Sequence, residues 1–293
     1  MEKRVFFKGW KLPLLLVTPQ LIISAVFFFY PSGQAIWNSL FLPDPFGLKT
    51  EFVGLDNFRF LLSDSYYLAS FKTTIIFSVA VTISSMLIGL YLAALADRLI
   101  KGSGVYQTLL IWPYAIAPAI AGVLWLFLFN GNIGLVSWYL KGLGYEWNHN
   151  LNGDQAMFLV VLASAWGRIS YNFLFFFAGL QAIPKSILEA AAIDGAGRMT
   201  TFFKVTLPLL WENMRSSLVF ITVLAMDMFG ITYTMTQGGP DRATDVLATL
   251  LYEHAFLHSR FGYATSIAMV YFIIVIILSL LIMKMTRRET IEF

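Results

Sequence analysis

Residues 182–210, AIPKSILEAAAIDGAGRMTTFFKVTLPLL, form a polar island between two long apolar segments, and their reading decides what those segments are for. Ser186, followed three residues later by Glu189, matches a capping box: the hydroxyl accepts from an amide of the first turn while the carboxylate reaches back. A short helix is expected to begin there and to run on through Ile187, Leu188 and the alanines that follow. Gly195 is the natural left-handed stop just past its end, because a residue without Cβ enters the positive-φ region freely. Thr200 or Thr201 is expected to cap a second short helix through Phe202, Phe203 and Val205. Leu207-Pro208 then hands the chain to the next apolar segment. Two short helices joined by a sharp turn make a docking shape, although local physics alone also allows a plain surface loop in which Glu189 only caps and the alanines only pack.

The composition says what the loop is mounted on. Of 293 residues 58% are hydrophobic and only 13% charged, with a mean hydropathy of +0.71. Those values exclude an ordinary soluble domain and point to a polytopic membrane protein. Cysteine is absent, so no disulfide framework or thiolate metal site exists. The net charge of +3 says less than its distribution along the chain.

Taken in order, Lys3, Arg4, Lys8 and Lys11 precede the uncharged run Leu12–Tyr30, long enough to cross a bilayer and longer than a signal-peptide core. It reads as a retained first span, kinked at Pro19 and ended by Tyr30-Pro31. No piece of residues 32–71 is long enough to span; Asp56 is expected to cap a short helix through Leu62. Further spans are expected at Thr73–Ala96, at Val105–Phe129 with Pro113 and Pro118 inside, and at Ala156–Leu180 with Trp166-Gly167-Arg168 near its middle. Two more follow at Ser217–Thr236, with Asp227 inside and Gln237-Gly238-Gly239-Pro240 as its breaker, and at Phe261–Met283. Two prolines in one span are tolerated where neighbouring helices or water satisfy the freed carbonyls, so Val105–Phe129 should line the bundle interior or a pathway.

Lysine and arginine test this topology. With the N-terminus, the 97–104 and 181–215 loops and the tail on one side, that side carries thirteen of the twenty basic residues. The opposite loops carry six, and Arg168 lies in the membrane. The positive-inside rule then places both termini and the 182–210 loop in the cytoplasm.

Other motifs yield bland readings. His254 and His258 are four apart, but Glu253 precedes the first histidine, so the H-E-x-x-H order fails and an interfacial helix over 250–261 accounts for them. No Gly-Lys dipeptide occurs, so the chain has no P-loop and energy must come from elsewhere. Arg168 and Asp227 stand out, because a charge at that depth costs several kcal/mol, roughly, and is kept when it pairs or lines a wet cavity. They read either as a structural ion pair or as groups on a solute pathway, with Trp166 and Tyr171 flanking the solute.

Glu189-Ala190-Ala191, three residues, Gly195, nine residues, Val205, one residue, then Leu207-Pro208 resembles the EAA loop of permease subunits of bacterial ABC importers; the family usually has Ile where this chain has Val205. Phe52 to Phe58, FVGLDNF, is similar to an element after the first helix of carbohydrate-type members. From Leu15 to about Leu210 the chain is similar to the sn-glycerol-3-phosphate branch, through Asp44-Pro45-Phe46-Gly47, Asp64-Ser65-Tyr66-Tyr67, Pro113-Tyr114-Ala115, Gln155-Ala156-Met157-Phe158 and Ile169-Ser170-Tyr171-Asn172-Phe173. Beyond Trp211, Gln237-Gly238-Gly239-Pro240 and Phe261-Gly262-Tyr263-Ala264 look like the broader sugar-importer class.

The resemblance implies an all-α membrane protein of six transmembrane helices with a cytoplasmic coupling helix. Residues 1–72 would form an N-terminal helix and extracytoplasmic segment, and residues 73–293 the permease domain. Glu189, Ala190, Ala191, Asp194, Gly195, Leu207 and Pro208 would couple to an ATPase, and Trp166, Arg168, Tyr171 and Asp227 are the pathway candidates. No catalytic residue and no metal site is expected. ATP and Mg would be bound by a cytoplasmic ATPase dimer and not by this chain. The other implied partners are a second permease subunit forming a heterodimer, an extracytoplasmic substrate-binding protein and the lipid of a bacterial inner membrane, with no nucleic acid. The implied solute is sn-glycerol-3-phosphate or a glycerophosphodiester; the alternatives are a neutral sugar or oligosaccharide carried by the same machinery, or a gradient-driven carrier or channel.

Overall fold

In the computed structural model, residues 9–43, 49–97, 103–226 and 228–286 are described. Asp227, the whole Asp44-Pro45-Phe46-Gly47 motif and the basic residues at positions 3, 4, 8, 98, 101, 287 and 288 lie outside them. The described residues up to Asp64 form one compact unit with Leu251–Phe272, and Ser65–Leu250 form another with the chain from Ile273 onward.

In the first unit, helix α1 spans Lys11–Ser39. It does not end at Tyr30-Pro31. A π-helical turn, Ala25–Phe29, intervenes, and the Tyr30 amide bonds back five residues to the Ala25 carbonyl. That widened turn sits where Pro31, lacking an N–H, would crowd the preceding turn of a regular helix. A short antiparallel hairpin that the sequence pattern did not reveal follows, β1 (Phe41–Pro43) and β2 (Thr50–Phe52), with Phe41 opposite Phe52 and their rings 5.3 Å apart. Helix α2 covers Asp56–Ser63, but Asp56 is its first residue and not its cap, which is Leu55. The Asp56 carboxylate instead pairs with Arg59 at 2.9 Å, where a negative charge still favours the helix N-terminus. Buried Asn57 donates to the Ser39 and Phe41 carbonyls at 2.9 and 3.1 Å and fixes α2 to the end of α1.

The second unit is built on two long helices, α3 (Ser65–Ala96) and α7 (Gly153–Ala182), packed along each other. Helix α3 begins eight residues before the expected Thr73, because Tyr67 and Ser70 are buried and the Ser70 hydroxyl donates to Asp245 at 3.0 Å. Helix α7 passes through Trp166-Gly167-Arg168 without a break. The expected Val105–Phe129 span is two helices, α4 (Ser103–Ile111) and α5 (Pro118–Leu128), joined by a 3-10 turn at Trp112–Ala115 and bent by 102°. Proline at 113 and 118 removes two donors within six residues, which is enough to redirect the chain. Helix α6 covers Leu135–Gly142. The loop helices are α8 (Lys185–Ile193) and α9 (Arg198–Leu209), and α10 (Trp211–Met226) leaves α9 at 63°. The expected Ser217–Thr236 span is likewise divided, since a separate helix α11 begins at Phe229 and ends at Thr236, where Gln237 is left-handed. Helix α12 (Leu247–Tyr252) continues as a π-helix through Leu257, earlier than the expected interfacial helix, and α13 (Phe261–Thr286) is the expected last span, begun at the expected residue and three residues longer.

Among the described residues four helices are long and apolar enough to cross a membrane: Lys11–Ser39, Ser65–Ala96, Gly153–Ala182 and Phe261–Lys284. The number is six if each bent pair counts as one span. The bundle core joins Phe77 and Val81 of α3 to Leu159, Val160 and Ala163 of α7, Ala225 of α10 and Ile231 of α11. Trp125 packs against this core.

Candidate functional site

Two regions carry the candidate residues. The first is the 182–210 loop. The expected capping box is absent: Pro184 is the N-cap of α8, no side chain caps it, and Ser186 lies inside the first turn. Proline presets the extended-to-helix transition, so the hydroxyl is not needed there. The other end of α8 is as expected and more complete. Gly195 has φ +76°, its amide bonds to the Ala192 carbonyl at 3.1 Å, and the Ala196 amide bonds to the Ala191 carbonyl at 3.0 Å. This pair of bonds is the Schellman motif, which satisfies the carbonyls a helix end leaves open. Helix α9 then starts from Gly197 and not from a threonine cap. The Thr201 hydroxyl donates back to the Gly197 carbonyl at 3.2 Å, so it acts as a donor inside the helix.

Glu189, Ala190, Asp194, Gly195 and Pro208 are exposed on this loop, while Ala191 and Leu207 are half-buried. Large apolar side chains also stand in the open: Ile193 is 86% exposed, Met199 68% and Phe203 54%. Apolar surface is thus gathered on a short, locally locked element. On the bundle side, Leu210 is buried with Phe173, Phe176 and Leu180, which anchors the loop to α7. The sequence reading passed over Ile193 and Met199, although apolar residues at the end of a short helix were a usable signal.

The second region lies at the middle of α7. Arg168 borders a cleft of about 220 Å³ whose walls include Pro113, Tyr114, Pro118, Ser164 and Tyr171. The bend between α4 and α5 supplies the two prolines and Tyr114. The Tyr114 ring meets Tyr171 edge-on at 4.6 Å, and Tyr171 meets Phe220 at 5.4 Å. The Arg168 Nη2 donates to the Leu224 carbonyl at 3.4 Å. That carbonyl belongs to the last turn of α10, where no following helical amide reaches it. The guanidinium therefore holds a helix end and faces a cleft.

Trp166 does not share this cleft. Two residues along a helix are about 200° apart, so it turns to the opposite face and packs edge-on against Trp125 at 5.9 Å. Tyr171, three residues from Arg168, shares its face. Just below, Asn172 is fully buried and joins three helices: it donates to Ser85 of α3 at 3.1 Å and accepts from Ser217 of α10. A lone asparagine between apolar residues was the available signal for this junction, and only the packing shows its partners.

The histidine pair of the other unit sits with ring centroids 5.4 Å apart, and His254 packs edge-on against Tyr263 at 4.7 Å. Burial, followed by the nearby His258, lowers the His254 pKa below its ordinary value. Among the described residues no group of three His, Cys, Asp or Glu side chains is placed to hold a metal.

Residues 73–288 match the family described as "Binding-protein-dependent transport system inner membrane component". The chain is 51% identical over 279 residues to the sn-glycerol-3-phosphate transport system permease protein UgpA of Shigella flexneri, covering 95% of this chain and 94% of that protein. It is 50% identical over 285 residues to the protein of the same name from Yersinia enterocolitica, covering 97% and 96%. The similarity thus runs well past Trp211. A solved bacterial ABC transporter involved in import of the acidic polysaccharide alginate has the same fold, with a TM-score of 0.83, 19% identity and 96% of each chain covered.

Proposed function

Because the chain belongs to the family of binding-protein-dependent transport system inner-membrane components, we propose that it forms half of the translocation pathway of an importer for sn-glycerol-3-phosphate or glycerophosphodiesters. The observation that carries the solute is half-identity over 95% of the chain to a permease of that name. Arg168 supports it chemically. A guanidinium beside a small cleft offers the planar, two-pronged donor set that phosphate oxygens favour over a lysine point charge. Tyr171 and Tyr114 supply apolar contact for the glycerol end.

In this reading the chain is a non-catalytic subunit. ATP and Mg are held by a separate cytoplasmic ATPase dimer, which the 182–210 loop engages through the Gly195 turn and the exposed Ile193 and Met199. Closure of the ATPases draws this loop and that of a second permease subunit together. The helices that carry the loops, α7 and α10, then rock to open the pathway outward, toward an extracytoplasmic binding protein. Both termini lie in the cytoplasm, the side to which the excess of lysine and arginine assigns them. Asp227, outside the described residues, keeps its proposed place on the pathway or as the partner of Arg168.

The test compares two solutes in the reconstituted complex. With Arg168→Gln, sn-glycerol-3-phosphate uptake should fall at least tenfold at unchanged assembly while basal ATP hydrolysis persists. Unchanged uptake, or an intact complex that carries a neutral disaccharide and ignores the phosphate, would leave Arg168 as the cap of α10 alone and favour a sugar importer.

A further inference from the structure

A second cleft, of about 240 Å³, opens where the loop before α7 meets the end of α11. His149, Asn150, Thr234, Met235 and Gln237 border it. Its chemistry differs from that of the Arg168 cleft, because no charged side chain lines it.

The loop is held rigidly by one residue. Gln155, in the first turn of α7, accepts from the Asn148 amide at 2.6 Å and donates to the Tyr145 hydroxyl at 3.1 Å and the Glu146 carbonyl at 3.2 Å. Trp147 is wedged against Phe129 at 5.0 Å and Phe158 at 6.1 Å. Its indole N–H donates to Nδ1 of His149 at 3.2 Å. That bond fixes the tautomer. With Nδ1 accepting, the neutral imidazole carries its proton on Nε2, and this donor has no hydrogen-bond partner among the described residues although His149 is only 6% exposed. Burial also lowers the pKa of this imidazole, which favours the neutral form.

The opposite wall is equally specific. Gln237 ends α11 in the left-handed conformation, φ +50°, and Gly238 after it is also at positive φ, +89°. The Thr234 hydroxyl spends its proton on the Gly230 carbonyl at 2.6 Å, which leaves its oxygen as an acceptor. The exposed carboxamides of Asn150 and Gln237 each add a donor and an acceptor, and Met235 forms an apolar floor. Along α11 this cleft lies about four residues, or about 6 Å, beyond Ile231, which borders the Arg168 cleft.

We propose that this cleft binds an uncharged, hydroxyl-bearing small molecule of a few carbons, with the His149 Nε2–H as its fixed donor. Neutral donors and acceptors in alternation over an apolar floor suit a polyol, and nothing in the lining compensates a dianion. The volume lies below the roughly 300–1,000 Å³ of sites for drug-sized ligands, which limits the ligand to a short chain or a single ring. The ligand class rests on the lining and not on the importer's solute.

The chain has no cysteine, so one introduced thiol is a clean reporter. Asn150→Cys, in the complex assembled with its partner subunits, is alkylated with a maleimide in the presence of glycerol, sn-glycerol-3-phosphate or inorganic phosphate. Gly144→Cys, on an exposed turn of the same loop, corrects for viscosity. Glycerol should slow the reaction at least threefold, and sn-glycerol-3-phosphate and inorganic phosphate should not. Adding His149→Phe or, separately, Gln237→Ala should weaken the protection, and His149→Gln, which keeps an N–H, should retain part of it. Equal rates with and without glycerol, or protection by phosphate equal to that by glycerol, overturn the proposal. If sn-glycerol-3-phosphate uptake is normal and protection absent, this site fails while the importer reading stands. If glycerol protects but that solute is not transported, the site stands and the importer's solute is wrong.

Discussion

Two glycines of the second unit do opposite jobs. Gly195 closes helix α8 with φ +76°, and a Cβ built there meets nothing within 4 Å. Gly89 sits inside α3, and a Cβ there falls 2.5 Å from the Asn172 Cβ and 3.2 Å from the Phe173 amide nitrogen. The loop needs a backbone conformation, and the bundle needs room. A loop that docks to another protein keeps its shape through bonds between near neighbours in sequence, whereas a membrane bundle keeps its shape by bringing backbones close enough to hide polar groups.

The comparison breaks first at Gly89. Gly89→Ala should force α3 away from α7 and stretch the Asn172 bonds to Ser85 and Ser217, at a cost of about 1–3 kcal/mol. Thermal unfolding of the detergent-solubilised complex should shift down, and transport and folded yield should fall together. An unshifted unfolding temperature would mean that the helices separate without cost at this contact.

At Gly195 the loss should be smaller and of another kind. Gly195→Val should cost about 1–2 kcal/mol locally, the penalty of a side chain in left-handed backbone. Uptake and substrate-stimulated ATP hydrolysis should drop about tenfold while membrane insertion and thermal stability stay put. Gly195→Asn, which tolerates that conformation, should restore most of both. Equal activity of the valine and asparagine variants would show that the turn is not what the ATPase reads.

The mildest effect concerns the loop pinned by Gln155. His149 has a lowered folded-state pKa because it is buried. Its contribution is therefore complete above the unfolded value of about 6.5 and is lost as the pH falls from there through the folded-state value. Protonation puts a proton on Nδ1, where the Trp147 N–H already points. Amide hydrogen exchange over residues 145–152, corrected for its intrinsic pH dependence, should be modestly faster at pH 5.5 than at pH 7.5, and His149→Phe should remove the difference.

Much of the loop was legible because its forces act within five residues. Gly195 as the stop follows from the lack of a Cβ, but the start was misplaced: Ser186 looks like a cap, and Pro184 takes that position without a side-chain bond. The same limit explains α1, whose passage through Pro31 depends on a π-turn that no residue pattern announces. The Arg168 site was half legible. A charge inside an apolar run names itself, and the 3.6-residue period separates Trp166 from it, but Tyr114 and the prolines reach it only across 50 residues of intervening chain.

The sequence by itself determined that this is a polytopic helical membrane protein with a polar loop turned sharply at Gly195, since hydropathy, charge asymmetry and turn residues are properties of short stretches. Only the tertiary structure decided where α4 turns into α5 and α10 gives way to α11, which carbonyl Arg168 holds, and that Asn172 is shared by three helices. A buried polar group takes its hydrogen bonds from whichever helix packs against it, and the choice of neighbour is made by the whole bundle.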